Sequence, residues 1–179
     1  FYNSIKNKTF ESAIFFGPSG TGKTTLARII AGELDGSFVE VNASTTGTKE
    51  LKEILKNAGD RFNGLLQETT VLYVDEIHRW NKLQQDSLLK AIEEGIVKFI
   101  GSTTENPYFS INNAILSRVR NIYEFKRLAA DDIVTILKRT LADKDKGFGG
   151  LNVKCQEGAL EMLAAMAGGD CRVALDALG

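Results

Sequence analysis

One histidine and two cysteines, Cys155 and Cys171, leave this chain little material for a zinc site. The two cysteines lie far apart in sequence and form no CxxC, so they are expected to be free thiols of a reducing compartment. No apolar run approaches the roughly 20 residues that cross a bilayer. No basic stretch followed by an apolar one opens the chain, so a secretory leader is not expected. An excess of either charge is missing too: 22 Lys and Arg stand against 23 Asp and Glu, a net charge of −1. The chain as a whole therefore offers no electrostatic case for nucleic acid or membrane, which leaves only local basic patches. Internal repeats and low-complexity segments are absent as well.

What is present suits a globular body. The 179 residues are 43% hydrophobic and 25% charged, enough for one domain, or one domain with a small appendage, around a real core. The sequence begins at Phe1 and stops at Gly179 within a predicted helix, so both edges are expected to be cuts through a longer protein.

Short apolar runs alternate with amphipathic stretches. Strands are predicted at 13–16, 38–41, 71–75, 97–100 and 122–125, and the fourth is expected to extend to Thr104. Between them Leu26, Ile29, Ile30 and Leu34 fall at helical spacing. So do Leu51, Ile54, Leu55 and Ala58, and then Leu88, Leu89 and Ile92. This alternation predicts an α/β fold, a five-stranded parallel sheet covered on both faces. After Phe125 only helical patterns remain: Ile133 to Leu141, Ala159 to Met166 and Val173 to Leu178, with a charged, glycine-rich loop at 144–150. The expected boundary lies near Arg127, with an α/β domain at 1–127 and part of a helical lid at 128–179.

Residues 17–24 read GPSGTGKT, a full match to G-x-x-x-x-G-K-[ST] between a predicted strand and a predicted helix. Gly17, Gly20 and Gly22 allow the backbone to curl its N–H groups around phosphate oxygens. The following helix presents its positive end to the same anion. Lys23 supplies a charge for the β- and γ-phosphates, and Thr24 a hydroxyl for Mg²⁺. The nucleotide-binding set thus runs through Gly17, Pro18, Ser19, Gly20, Thr21, Gly22, Lys23, Thr24 and Thr25, with ATP and Mg²⁺ as the expected cofactors. Residues 71–76 read VLYVDE, an apolar strand that delivers Asp75 to the ligand-binding edge of the sheet. Asp75 is expected to hold Mg²⁺ directly or through water. Glu76 is then placed to polarise the water that attacks the γ-phosphate. Adjacent acids favour hydrolysis over transfer to a small acceptor.

Other residues carry a family pattern. DEIHR at 75–79, WNKLQQDSLLKAIEEG after it, FIGSTTENPYFSIN at 99–112 and ILSRVR at 115–120 together resemble the RarA/MgsA family of AAA+ ATPases, whose eukaryotic relatives are the Werner-helicase-interacting proteins. The resemblance extends from about Ser12 to Gly179, and TTENP followed by an aromatic is its most specific part. It implies an AAA+ core with a helical lid, DNA-stimulated ATP hydrolysis and work at stalled or damaged replication forks. It also implies a homo-oligomer on forked, gapped or single-stranded DNA, replication proteins as further partners, no membrane, and a cytoplasmic, nucleoid-associated place in a bacterium. By the same resemblance Thr104 is the first sensor of the γ-phosphate, with Asn106 as competitor. Arg118, rather than Arg120, is the finger offered to a neighbouring subunit. Arg172 in GDCRVAL is the second sensor. His78 is expected in a positioning role at a subunit contact rather than in proton transfer, Trp80 in packing, and Lys126, Arg127, Lys138 and Arg139 on a solvated face. Ser19 departs from the GPPGTGKT form. A clamp-loader or RuvB-type motor subunit is the nearest alternative, and a nucleotide-regulated scaffold with negligible turnover is another.

Overall fold

Each predicted alternation of apolar run and amphipathic stretch becomes a strand and a helix. The computed structural model describes residues 2–65, 67–151 and 153–179. Its chain divides into two units: Phe1–Gly17 with Lys23–Glu124, and Pro18–Gly22 with Phe125–Gly179.

The first unit runs α1 (Tyr2–Lys6), β1 (Ser12–Phe16), α2 (Lys23–Glu33), β2 (Ser37–Asn42), α3 (Thr48–Phe62) and β3 (Thr70–Asp75). A single 3-10 turn, Ile77–Arg79, leads to α4 (Lys82–Glu93), β4 (Val97–Thr103), α5 (Pro107–Ser110), α6 (Asn113–Leu116) and β5 (Asn121–Glu124). The strands form one parallel sheet in the order β2-β3-β4-β1-β5. Central strands are buried along nearly their whole length and the edge strands β2 and β5 only in part, as their sequences require. Ile14, Val41, Leu72, Val74, Val97 and Phe99 are strand residues of one core cluster, and Leu51 and Leu88 bring in α3 and α4. Trp80 packs there as expected, 3% exposed, and its indole N–H donates to the Thr46 carbonyl at 3.3 Å.

The fourth strand stops one residue short of Thr104. Thr103 Oγ1 accepts the Glu105 N–H at 3.0 Å, a side-chain turn that takes the backbone out of the ladder and leaves Thr104 exposed. The short helices α1, α5 and α6 had no periodic signal, since four or five residues make barely one turn. Asparagines start two of them: Asn106 accepts the Tyr108 N–H and Asn112 the Ala114 N–H, each at 3.0 Å.

The second unit contains α7 (Ala130–Ala142), α8 (Ala159–Ala167) and α9 (Cys171–Leu178) around Ile133, Leu137, Ala164 and Ala174. The charged loop after α7 is held by Asp143, whose carboxylate accepts the N–H groups of Asp145 and Lys146 at 2.9 and 3.0 Å. Asp170 caps α9 by accepting the Arg172 and Val173 N–H groups at 2.9 and 3.3 Å. The segment Pro18–Gly22 belongs to this unit: the Cys171 N–H donates to the Gly20 carbonyl at 3.0 Å, and Thr21 Oγ1 donates to the Pro18 carbonyl at 2.9 Å.

Candidate nucleotide-binding site

The glycine-rich stretch has the backbone that the sequence requires. Gly20 and Gly22 lie at φ of 65° and 91°, conformations that a side chain would strain. In the first unit, β1 ends against β4 through the Gly17 N–H, which donates to the Thr103 carbonyl at 3.1 Å. Lys23 opens α2 with its side chain nearly buried, and Nζ donates to the Gly17 carbonyl at 2.8 Å. Burying an ammonium is costly unless it is hydrogen-bonded, so its place at a helix N-terminus is a positive position prepared for an anion. Thr25 follows, exposed.

At the end of β3 the register sets Val74 beside Gly101, so Asp75 meets Ser102 of β4. Ser102 Oγ donates to Asp75 Oδ1 at 2.6 Å, a short, charge-assisted bond. The Tyr73 hydroxyl lies 2.9 Å from Thr24 Oγ1, 2.9 Å from Ser102 Oγ and 3.3 Å from Asp75 Oδ1. Burial pushes the Tyr73 pKa up to about 12 against the pull of its Ser102 and Thr24 hydrogen bonds, with the Asp75 charge adding to the rise, so it is a neutral hydroxyl near pH 7. Thr24 and Asp75 are thus brought within reach of one oxygen atom. A hydroxyl and a carboxylate are hard oxygen donors, and that donor set suits Mg²⁺.

Glu76 follows in the left-handed region, φ 55° and ψ 41°. Left-handed backbone at a non-glycine residue costs about 1–2 kcal/mol, and such strain gathers at functional sites. Glu76 Oε2 lies 3.2 Å from His78 Nε2, and Glu105 Oε1 lies 3.6 Å from the same nitrogen. The imidazole side chain is 4% exposed, and its Nδ1 hydrogen-bonds Thr103 Oγ1 at 2.9 Å. The Thr103 hydroxyl thus bridges the Glu105 N–H and the imidazole, while Nε2 is buried on the side of the two glutamates without a hydrogen bond to either. The His78 side chain, expected in a positioning role, is enclosed by its own strand ends.

The remaining predicted residues have partners or exposures of their own. Thr104 and Asn106 are exposed beyond β4, and Asn106 uses its side-chain oxygen to cap α5. Arg118 is tied within its own chain: Nε pairs with Glu93 at the end of α4, and one terminal nitrogen donates to the Ala114 carbonyl at 2.9 Å. Arg120 pairs with Glu11 instead, at 2.6 Å. Arg172 stands exposed in the first turn of α9, in the second unit. Of the basic residues after β5, Arg127 donates to the Gly168 carbonyl at 2.6 Å. Both cysteines are free thiols. Sequence reasoning did not single out Tyr73, Ser102, Thr103 or Glu93. Tyr73 had a readable signal, because residues two apart on a strand share a face and Tyr73 therefore sides with Asp75.

Residues 13–127 match the ATPase family associated with various cellular activities (AAA), and the chain belongs to that family. Within it the chain is similar to Replication-associated recombination protein A of Haemophilus influenzae, 46% identical over 93% of this chain and 37% of that protein. It is also similar to ATPase WRNIP1 of Dictyostelium discoideum, 42% identical over 97% of this chain and 20% of that protein. These relatives agree with the resemblance carried by DEIHR and TTENP. The chain spans well under half of their length. Among solved structures it resembles the Thermotoga maritima RuvB Holliday junction branch migration motor, with a TM-score of 0.79, 26% identity, and 99% of this chain and 56% of that one covered. No helix among the described residues is long and apolar enough to cross a membrane.

Proposed function

We propose that this chain binds and hydrolyses Mg-ATP for a protein that works on DNA at stalled or damaged replication forks. The observation that carries the chemistry is the meeting of Thr24 and Asp75 at the Tyr73 hydroxyl, since a phosphate-loop hydroxyl and a strand-end carboxylate are the two donors a nucleotide-bound Mg²⁺ needs. Bound Mg²⁺ would supply positive charge to the β- and γ-phosphate oxygens. Lys23 adds its own charge there, and the backbone of Gly17 to Thr25 encloses the phosphates. Glu76 takes a proton from the attacking water as the bond from the γ-phosphorus to the ADP oxygen breaks. Thr104 and Arg172 respond to the γ-phosphate. Arg118 serves a neighbouring copy, which requires its pair with Glu93 to open.

The domain assignment that goes with this is an α/β nucleotide-binding domain at 1–127 and a helical lid at 128–179. The replication role rests on the similarity to these relatives. The higher identity to the recombination protein than to the RuvB motor favours that role over branch migration. Forked, gapped or single-stranded DNA, further copies of the chain and replication proteins are the proposed partners. The proposed setting is the cytoplasm, beside the nucleoid.

The test is the ATPase rate of the full-length protein with and without forked or gapped DNA, beside Glu76→Gln. Stimulation by DNA is expected, with nucleotide binding kept and turnover cut by about 10²–10⁴ in the variant. A flat, near-zero wild-type rate with intact ATP binding would transfer the support to a nucleotide-regulated scaffold.

A further inference from the structure

The Tyr73 hydroxyl meets three other side chains of the first unit. Tyr73 is fully buried on β3, yet its oxygen meets Thr24, Ser102 and Asp75. Counting protons orders the contacts. Asp75 as a carboxylate only accepts, and Ser102, at 2.6 Å, donates to it. Tyr73 then donates to Ser102 Oγ at 2.9 Å, and Thr24 donates to Tyr73 at 2.9 Å. The relay Thr24 to Tyr73 to Ser102 to Asp75 has every proton directed at the carboxylate. That direction turns the lone pairs of Thr24 Oγ1 away from the relay, and it leaves Asp75 Oδ2 outside it. These are the electron pairs that a divalent cation would use.

The geometry points to Tyr73 and Ser102 as positioning residues for Mg²⁺: their paired hydroxyls fix the spacing and the proton direction of Thr24 and Asp75 before the metal arrives. This rests on the Mg-ATP reading above and deepens it. Neither residue touches nucleotide or metal. Outer hydrogen-bond partners of ligating groups have such effects generally, and their loss costs about 10–100-fold in metal affinity. The relay also explains why a phenolic oxygen is tolerated in an otherwise apolar strand, since each polar atom in it has a partner.

The experiment titrates Mg²⁺ into the full-length protein with a fluorescent ADP analogue and follows binding, with a parallel series in EDTA. Tyr73→Phe removes one oxygen from a filled site. It should raise the Mg²⁺ concentration at half-maximal binding about tenfold while leaving affinity in EDTA unchanged. Ser102→Ala should shift it in the same direction, and the double variant by less than the product of the two, because one relay is broken in both. Melting temperature is read alongside. A drop in melting temperature with an unmoved Mg²⁺ midpoint in both variants makes the relay merely structural and overturns the inference while the Mg-ATP reading stands. If wild-type binding ignores Mg²⁺ and survives Lys23→Ala, the Mg-ATP reading falls and takes the inference with it.

Discussion

Replacing Gly20 by alanine tests the backbone of the glycine-rich loop. A Cβ built there would lie 1.7 Å from Asp170 Oδ1 and 2.3 Å from its Cγ, far inside any van der Waals contact. The φ of 65° adds left-handed strain of about 1 kcal/mol. Asp170 must swing away, and in doing so it releases the Arg172 and Val173 N–H groups that it caps. A lost N-cap costs about 1 kcal/mol, so Gly20→Ala should destabilise by about 2 kcal/mol in all. Asp170→Ala alone should cost about 1 kcal/mol. In the double variant the cap is lost only once, so the pair should total about 2 rather than 3 kcal/mol. Gly22→Ala is the control, for its φ is 91° but a Cβ there meets nothing within 4 Å, so strain alone remains. The assay is equilibrium denaturation of the four variants beside wild type, with Arg172 backbone amide exchange to report the cap. Strict additivity of Gly20→Ala and Asp170→Ala would refute the contact. So would a Gly22→Ala cost equal to that of Gly20→Ala.

The other predictions concern groups whose partners are already defined. Arg118→Ala should lower DNA-stimulated turnover by up to about 10³–10⁵, and mixing it with Glu76→Gln should restore part of the rate in hybrid assemblies; absence of any rescue argues against action on a neighbour. The two cysteines should alkylate unequally near pH 8: Cys155 is exposed, whereas burial, helped by the Asp170 charge, holds the Cys171 pKa above the usual thiol value and keeps its thiolate scarce. Peptide mass spectrometry after brief labelling reads this directly, and equal rates would contradict the Cys171 environment.

The α/β pattern was legible because its strands are apolar runs bounded by glycine, aspartate or a charged helix, and such runs in a parallel sheet are buried on both faces. The end of β4 was harder to read. Residues 101–104 read GSTT, with no apolar period to mark a stop, and the decisive bond runs from the Glu105 N–H to the Thr103 side chain. The phosphate loop was legible as a motif, and so were Asp75 and Glu76 as consecutive acids after a strand. What sequence could not supply was the partner of each: Ser102 meets Asp75 only through the β3–β4 register, and Glu93 meets Arg118 across 25 residues of chain.

Glu76 shows how these contacts combine. A strand side chain alternates faces, so a residue directly after Asp75 would point away from it if the strand continued. The backbone instead turns into the left-handed region at Glu76 and starts the 3-10 turn whose N–H from Arg79 returns to the Glu76 carbonyl at 2.8 Å. The strain of about 1–2 kcal/mol at this turn must be offset nearby, and buried Ile77 supplies an anchor, with the enclosed His78 ring held on Thr103 as a second. Both anchors lie within the strand ends rather than in solvent, so the direction of the Glu76 carboxylate is set by the same β3–β4 pairing that sets Asp75. A change of the Thr103 side chain should therefore disturb the Glu76 carboxylate through His78, while the Thr103 carbonyl that accepts the Gly17 N–H is kept.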